Sequence, residues 1–270
     1  VKKTPMNQRK QAPRPPDSIA YKQKKAFFDN LITVYGRNTC SEVLRDPQLK
    51  VYRLHLADSN RSSAVIEQLV NLAKRRDIEI CHHSRAQLAH ISRNSKQDQG
   101  VACDIEHPGY RHYSEVIDQL PVYSATRLIA LDGVTNPQNL GMIIRSVTAS
   151  KVHGLLLPAK GSAEISPLVI KASSGTLFKS NILRCEQLDS ALLDFQRHGY
   201  DVAVLDAGAD CDIDAFSPTA PTIYVLGNET EGVSASIVNL ADHRLSIPMQ
   251  RGVESLNVAV TAALVAFMTS

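Results

Sequence analysis

Residues 246–267 read SIPMQRGVESLNVAVTAALVAF, and this stretch organises the chain. A β-like run ends at Ile247-Pro248-Met249, a loop follows, and Ser255-Leu256-Asn257 opens a helix that carries no charge from Val258 to Met268. A helix that is apolar on every side belongs in a core or an interface. A membrane span needs about 20 such residues, more than this run has. The polar cluster of Ser255 and Asn257 therefore marks the mouth of a buried element. Backbone N–H groups there are left without helical partners and can meet a ligand.

Working back from that end, strands and helices alternate from Arg127 onward. Apolar strands fall at 128–131, 154–157, 181–184, 201–205, 222–226 and 244–247, with helices at 140–149, 167–177, 190–198 and 235–239 between them. Near-continuous apolar strands separated by helices indicate an α/β fold whose parallel sheet is covered on both faces. Ligands bind such sheets at loops on the carboxyl ends of the strands.

Three of those loops carry unusual residues. LDGVTNPQNLGMIIRS (131–146) has a turn at Asn136-Pro137, with Asn139 as a candidate helix cap. In the helix that follows, Leu140, Ile143, Ile144 and Val147 form an apolar stripe and Arg145 falls on the opposite side. VLGNETEGVS (225–234) spaces Gly227 and Gly232 like part of a phosphate loop, but no Lys follows the second glycine. A nucleotide P-loop is thereby excluded. A strand ending at Leu226-Gly227 lets a ligand approach backbone, with Glu229 beside it. The 246–267 stretch is the third. The string LDAGAD at 205–210 is only a thin echo of a Rossmann-type methyltransferase loop, having one glycine where several are expected.

The first half reads as a smaller α/β unit over 27–106, with helices at 26–34, 62–74 and 84–92 and strands at 51–57, 78–81 and 101–105. Residues 107–126, rich in Tyr, Pro and His, read as a linker with a short helical stretch around Val116. His82 and His83 are adjacent, so on a strand they face opposite ways and do not make a metal site together. His107 and His112 have no supporting ligands in sequence. No metal is expected.

Residues 1–26 form a basic, Pro- and Gln-rich tail that cannot fold alone. It holds eight of the chain's 30 Lys and Arg against one of its 27 acidic residues, which leaves the body slightly acidic. Such a tail is either an electrostatic arm for nucleic acid or a solubilising leader. The chain opens on Val1 rather than Met, which reads as a truncated or processed start. Five dispersed cysteines without a CxxC pair favour a reducing cytoplasm over disulfides.

In this order, the three loops resemble those of the SpoU/TrmH family of RNA ribose 2′-O-methyltransferases, in the SPOUT superfamily; the match covers 128–268, within a domain set at 127–270. Residues 27–106, opening on VYGRNTCSEVL, are similar to the L30e-like substrate-binding domain of many members. The resemblance implies a trefoil-knotted parallel-sheet catalytic domain that works as a homodimer on structured RNA, ribosomal ahead of transfer RNA. Neither DNA nor membrane is an expected partner. It implies S-adenosylmethionine (SAM) as methyl donor, lined by Leu226, Gly227, Ile247, Met249, Leu256 and Asn257. It implies Asn139, Arg145, Glu229, Ser255 and Asn257 as the catalytic set. In the family's third motif Gly stands two residues after Met and Ser follows Asn-Val; here those places hold Arg251 and Ala259. Because arginine stays protonated in proteins, Arg145 would orient the hydroxyl and stabilise its developing charge rather than act as base. A non-catalytic RNA-binding protein that keeps the fold is the alternative.

Overall fold

The computed structural model describes residues 31–106 and 110–268. The basic tail and His107 lie outside them, as do the first residues of the helix expected over 26–34. From residue 31 that stretch is a strand instead, because the Leu-Ile-Thr-Val-Tyr run is β-branched and aromatic. From Ile32 onward the chain forms one compact unit built on two sheets.

The smaller sheet has strands β1 (Leu31–Tyr35), β2 (Val51–Ala57), β3 (Glu79–His83) and β4 (Val101–Glu106), in the order β1-β4-β2-β3. The intervening helices are α1 (Arg37–Arg45), α2 (Ala64–Arg75) and α3 (Arg85–Ser92). Ser63 caps α2, and Ser84 forms a reciprocal capping box with Gln87 on α3. Alternation along β2 divides the sheet's faces. Leu54 and Leu56 join Val43, Leu44, Leu69 and Ala73 of the first two helices, while Ala57 packs with Leu88 of α3.

The larger sheet has eight strands: β5 (Arg111–His112), β6 (Arg127–Leu131), β7 (Gly154–Pro158), β8 (Ile182–Cys185), β9 (Asp201–Leu205), β10 (Cys211–Asp212), β11 (Thr222–Leu226) and β12 (His243–Ser246). Their order is β10-β12-β9-β11-β6-β7-β8-β5, and every neighbouring pair is parallel. The stretch read as a linker is docked on this sheet over 110–126. It supplies edge strand β5, buries Tyr113, Val116 and Ile117, and ties Tyr113 Oη to Asp194 at 2.6 Å.

Helices α4 (Pro137–Ala149), α5 (Pro167–Ala172) and α8 (Val258–Met268) cover one face, while α6 (Leu188–Arg197) and α7 (Ala235–Leu240) cover the other. The helix expected over 167–177 stops at Ala172, because Ser174 and Gly175 take positive φ of 54° and 81°. The apolar stripe of α4 is fully buried, worth about 1.5–3 kcal/mol per side chain. The segment after β12 runs from that strand back to α4, so that α8 packs against it.

Gly141 sets how closely α4 and α5 approach. A Cβ there would lie 2.4 Å from the Ala172 Cβ and 2.7 Å from the Val169 carbonyl oxygen. Overpacking of this kind costs about 1–3 kcal/mol. Gly141→Ala should therefore lower the melting temperature by several degrees, measured by thermal denaturation. An unchanged melting temperature would mean that the two helices do not require this contact.

Candidate functional site

The carboxyl ends of β9, β11 and β12 open on one cavity of about 390 Å³. Its wall is Leu205–Ala207 after β9, Leu226–Val233 after β11, and Ile247, Met249 and Glu254–Leu256 after β12, with Val258 and Thr261 of α8. All three strands end there because the sheet is parallel, and the 247–257 segment closes the remaining side.

The loop after β6 is laid alongside the loop after β11. Asp132 N–H donates to the Leu226 carbonyl at 2.9 Å, and Ser234 N–H donates to Asp132 Oδ2 at 2.7 Å. The β11 loop is a tight return. Asn228 Oδ1 accepts from the N–H groups of Thr230 and Glu231, and Gly232 N–H bonds back to the Asn228 carbonyl. This explains Gly227 differently from the sequence reading. A Cβ at Gly227 would lie 2.0 Å from the Gly232 carbonyl carbon and 2.3 Å from Val233 N. The missing side chain makes room for the loop's own return leg, although Gly227 also borders the cavity.

That return aims Glu229 at α4 and α8. Glu229 Oε1 accepts from Asn139 Nδ2 and, at 3.2 Å, from Asn257 Nδ2. Asn257 Nδ2 also reaches Asn139 Oδ1 at 3.2 Å, while Asn257 Oδ1 accepts from Ala259 N–H at 2.9 Å and so caps α8. One residue from each of three loops thus meets at one carboxylate. Asn139 is not the cap of α4, as its sequence position suggests. Asn136 takes that role, accepting from the N–H groups of Gln138 and Asn139, with Pro137 in the first helical position. Asn139 is thereby released to bond Glu229 and is buried.

The other expected site residues divide clearly. Leu226, Gly227, Ile247, Met249, Leu256, Glu229 and Ser255 border the cavity. Asn257 is not in its wall and reaches it through Glu229. Arg145 does not border it either; it stands six residues along α4 from Asn139, about 9 Å of helix rise. Its Nη1 donates to Ser174 Oγ at 3.3 Å. The segment carrying Ser174 also touches the smaller sheet's unit. Lys171 Nζ donates to the Gln97 carbonyl at 2.6 Å, and Lys179 Nζ pairs with Glu42 Oε2 at 2.7 Å.

Sequence reading passed over Leu205, Asp206 and Ala207 because the glycine pattern around them was wrong for a Rossmann loop. Their position at the end of a parallel strand was the usable signal. The N–H of Gly208, then the Arg244 guanidinium, hold the Asp206 carboxyl below the usual carboxylate range.

A family model described as the SpoU rRNA Methylase family matches residues 126–267, and one described as RNA 2′-O ribose methyltransferase substrate binding matches 33–111. An uncharacterized tRNA/rRNA methyltransferase of Mycolicibacterium gilvum is 32% identical over 238 residues, covering 88% of this chain and 75% of that protein. The crystal structure of the SpoU methyltransferase AviRb from Streptomyces viridochromogenes superposes with a TM-score of 0.72 at 25% identity, over 92% of this chain and 90% of that one. AviRb in complex with the cofactor AdoMet gives the same TM-score at 24% identity, over 93% and 97% of the two chains. The chain belongs to the SpoU rRNA methylase family.

The family's glycine position in the third motif is occupied here by Arg251, which adopts a left-handed φ of 61°. The chain turns here, with Val253 N–H bonded to the Gln250 carbonyl at 3.2 Å. A non-glycine residue in this conformation costs about 1–2 kcal/mol. Arg251→Gly relieves that cost and adds about 0.4–1 kcal/mol of unfolded-chain freedom. Urea denaturation should show a net gain of up to about 1.5 kcal/mol, and a clear loss of stability would refute the strain assignment.

Proposed function

We propose that this chain transfers a methyl group from SAM to a ribose 2′-hydroxyl of structured RNA, ribosomal ahead of transfer RNA, as a cytoplasmic homodimer. The observation that carries the reading is the meeting of Asn139 and Asn257 on Glu229, which borders the cavity at the ends of β9, β11 and β12.

The cavity suits the donor chemically. Leu205, Leu226, Leu245, Ile247, Met249 and Leu256 offer an apolar wall to a flat base, and its volume lies in the range of small-molecule sites. Asp206 lines the cavity with carboxylate oxygens that can also accept from sugar hydroxyls, and Glu229 puts a second carboxylate in the wall where a cation would gain from it. When bound, SAM supplies an electrophilic methyl group on a cationic sulfonium. Asn139 and Asn257 hold Glu229 in one orientation in advance of binding, so less freedom is lost when the ligand arrives.

Arg145 serves the RNA side of the reaction. It is exposed, and among the described residues no carboxylate lies within ion-pair distance of it. Its guanidinium can therefore meet a phosphate or an oxygen developing negative charge. The loop holding it through Ser174 also touches the smaller sheet's unit, which would bring RNA seated there to Arg145. The return of residues 247–268 from β12 to α4 supports the trefoil-knot reading. The exposed apolar side chains Val260, Met142 and Val253 support the homodimer, with a second copy covering them.

Two variants separate the roles. Glu229→Gln should weaken SAM binding by about 10- to 100-fold in calorimetry, because the negative charge facing the cationic donor is lost. Arg145→Ala should leave SAM affinity within about twofold and lower the rate of labelled-methyl transfer to RNA by roughly 100-fold or more. Normal transfer by Arg145→Ala would overturn its role. Failure of the wild-type chain both to bind SAM and to transfer methyl would favour a non-catalytic RNA-binding protein.

A further inference from the structure

The smaller sheet carries a cluster that the methyltransferase chemistry does not use. Cys81 and His83 are two residues apart on β3 and so share a face, whereas His82 points the other way. Parallel pairing sets His55 of β2 opposite Cys81. His55 Nδ1 lies 2.9 Å from His83 Nε2, and the ligand atoms of His55, Cys81 and His83 all fall within 4.8 Å of one another. His55 is buried; Cys81 and His83 are half-buried, so an ion could reach them from solvent.

The surroundings are those of an oriented ligand set. His55 Nε2 is 3.0 Å from Asp104 Oδ2, and the other oxygen of Asp104 accepts from Thr33 Oγ1 at 2.7 Å. A carboxylate on the far nitrogen of an imidazole fixes its tautomer, turns the near nitrogen's lone pair outward and raises its basicity; this is the usual support for a metal-bound histidine. Tetrahedral coordination, with bonds of about 2.0–2.1 Å to nitrogen and 2.3 Å to sulfur, separates two nitrogens by roughly 3.3 Å and nitrogen from sulfur by about 3.6 Å. The imidazoles would open by a few tenths of an ångström and the sulfur would close by about an ångström or less, which side-chain rotation can supply.

We propose that His55, Cys81 and His83 form a binding site for one borderline-soft divalent ion, zinc by its match to two imidazoles and a thiolate, with a fourth position open to solvent. Binding removes the Cys81 thiol proton to solvent. The proton that His83 Nε2 shares with His55 Nδ1 is replaced by the ion, and His83 carries its proton on Nδ1. Because β3 is the edge of its sheet and pairs with β2 alone, the ion would fasten that edge.

Cobalt(II) is the probe, titrated into the full chain after chelator treatment and dialysis. One equivalent should produce tetrahedral ligand-field absorption and a thiolate-to-cobalt charge-transfer band, and one equivalent of zinc should abolish both. Cys81→Ser should remove the charge-transfer band. His83→Ala should weaken zinc at least about tenfold, and Asp104→Asn by about 10- to 100-fold as a lost second partner. His82→Ala, on the opposite face, should titrate as wild type, with circular dichroism confirming that each variant is folded. Absence of a tetrahedral spectrum, or a charge-transfer band that survives Cys81→Ser in folded protein, would overturn the assignment.

Discussion

A single carboxylate holds the site together. Glu229 reaches it from the loop after β11, Asn139 from the first turn of α4 and Asn257 from the residue that caps α8. These residues are 90 and 28 positions apart along the chain, and each loop alone would be free to move. Charge-assisted hydrogen bonds are about twice as strong as neutral ones, so one acidic side chain suffices to fix all three. Its position depends in turn on Gly227, which lets the loop double back closely enough to present Glu229.

The architecture explains why these loops can meet. Parallel strands put all their carboxyl ends on one edge, and the order β12-β9-β11-β6 sets the three loop-bearing strands within four neighbouring places. The chain then leaves β12 and returns to α4, where α8 buries Val258, Ala259, Ala262, Val265 and Ala266. An uncharged helix is needed for this, because it meets both the core and α4. Its outer side, including Val260, is exposed. At the other end of α4, Arg145 contacts the segment that Lys171 and Lys179 fasten to the smaller sheet's unit. Asn139, which bonds Glu229 of the cavity wall, and the exposed Arg145 thus share one helix.

Much of this was legible in the sequence because the large sheet is buried on both faces. Apolar runs such as Leu128–Leu131 and Thr222–Leu226 announce themselves, and the polar residues between them stand out by contrast. What periodicity could not show was partnership. Asn139 reads as the cap until the geometry shows Asn136 bonded to backbone and Asn139 to Glu229. Residues 31–34 read as the end of a helix until the pairing of Leu31–Tyr35 in the small sheet is seen. Strand β5 has only two residues, too few for any pattern. The cluster at His55, Cys81 and His83 was hidden because the eye falls on adjacent His82 and His83, while the meaningful spacing is one strand residue wider and crosses to β2.

The most direct measurement is nucleoside mass spectrometry of RNA from cells lacking this protein, after incubation with the purified chain and labelled SAM. The account predicts label in a 2′-O-methylated nucleoside at a defined position of a structured RNA. Label on a base instead of the ribose would contradict the proposed chemistry. No label in ribosomal or transfer RNA, from protein that binds no SAM, would contradict the assignment of the cavity itself.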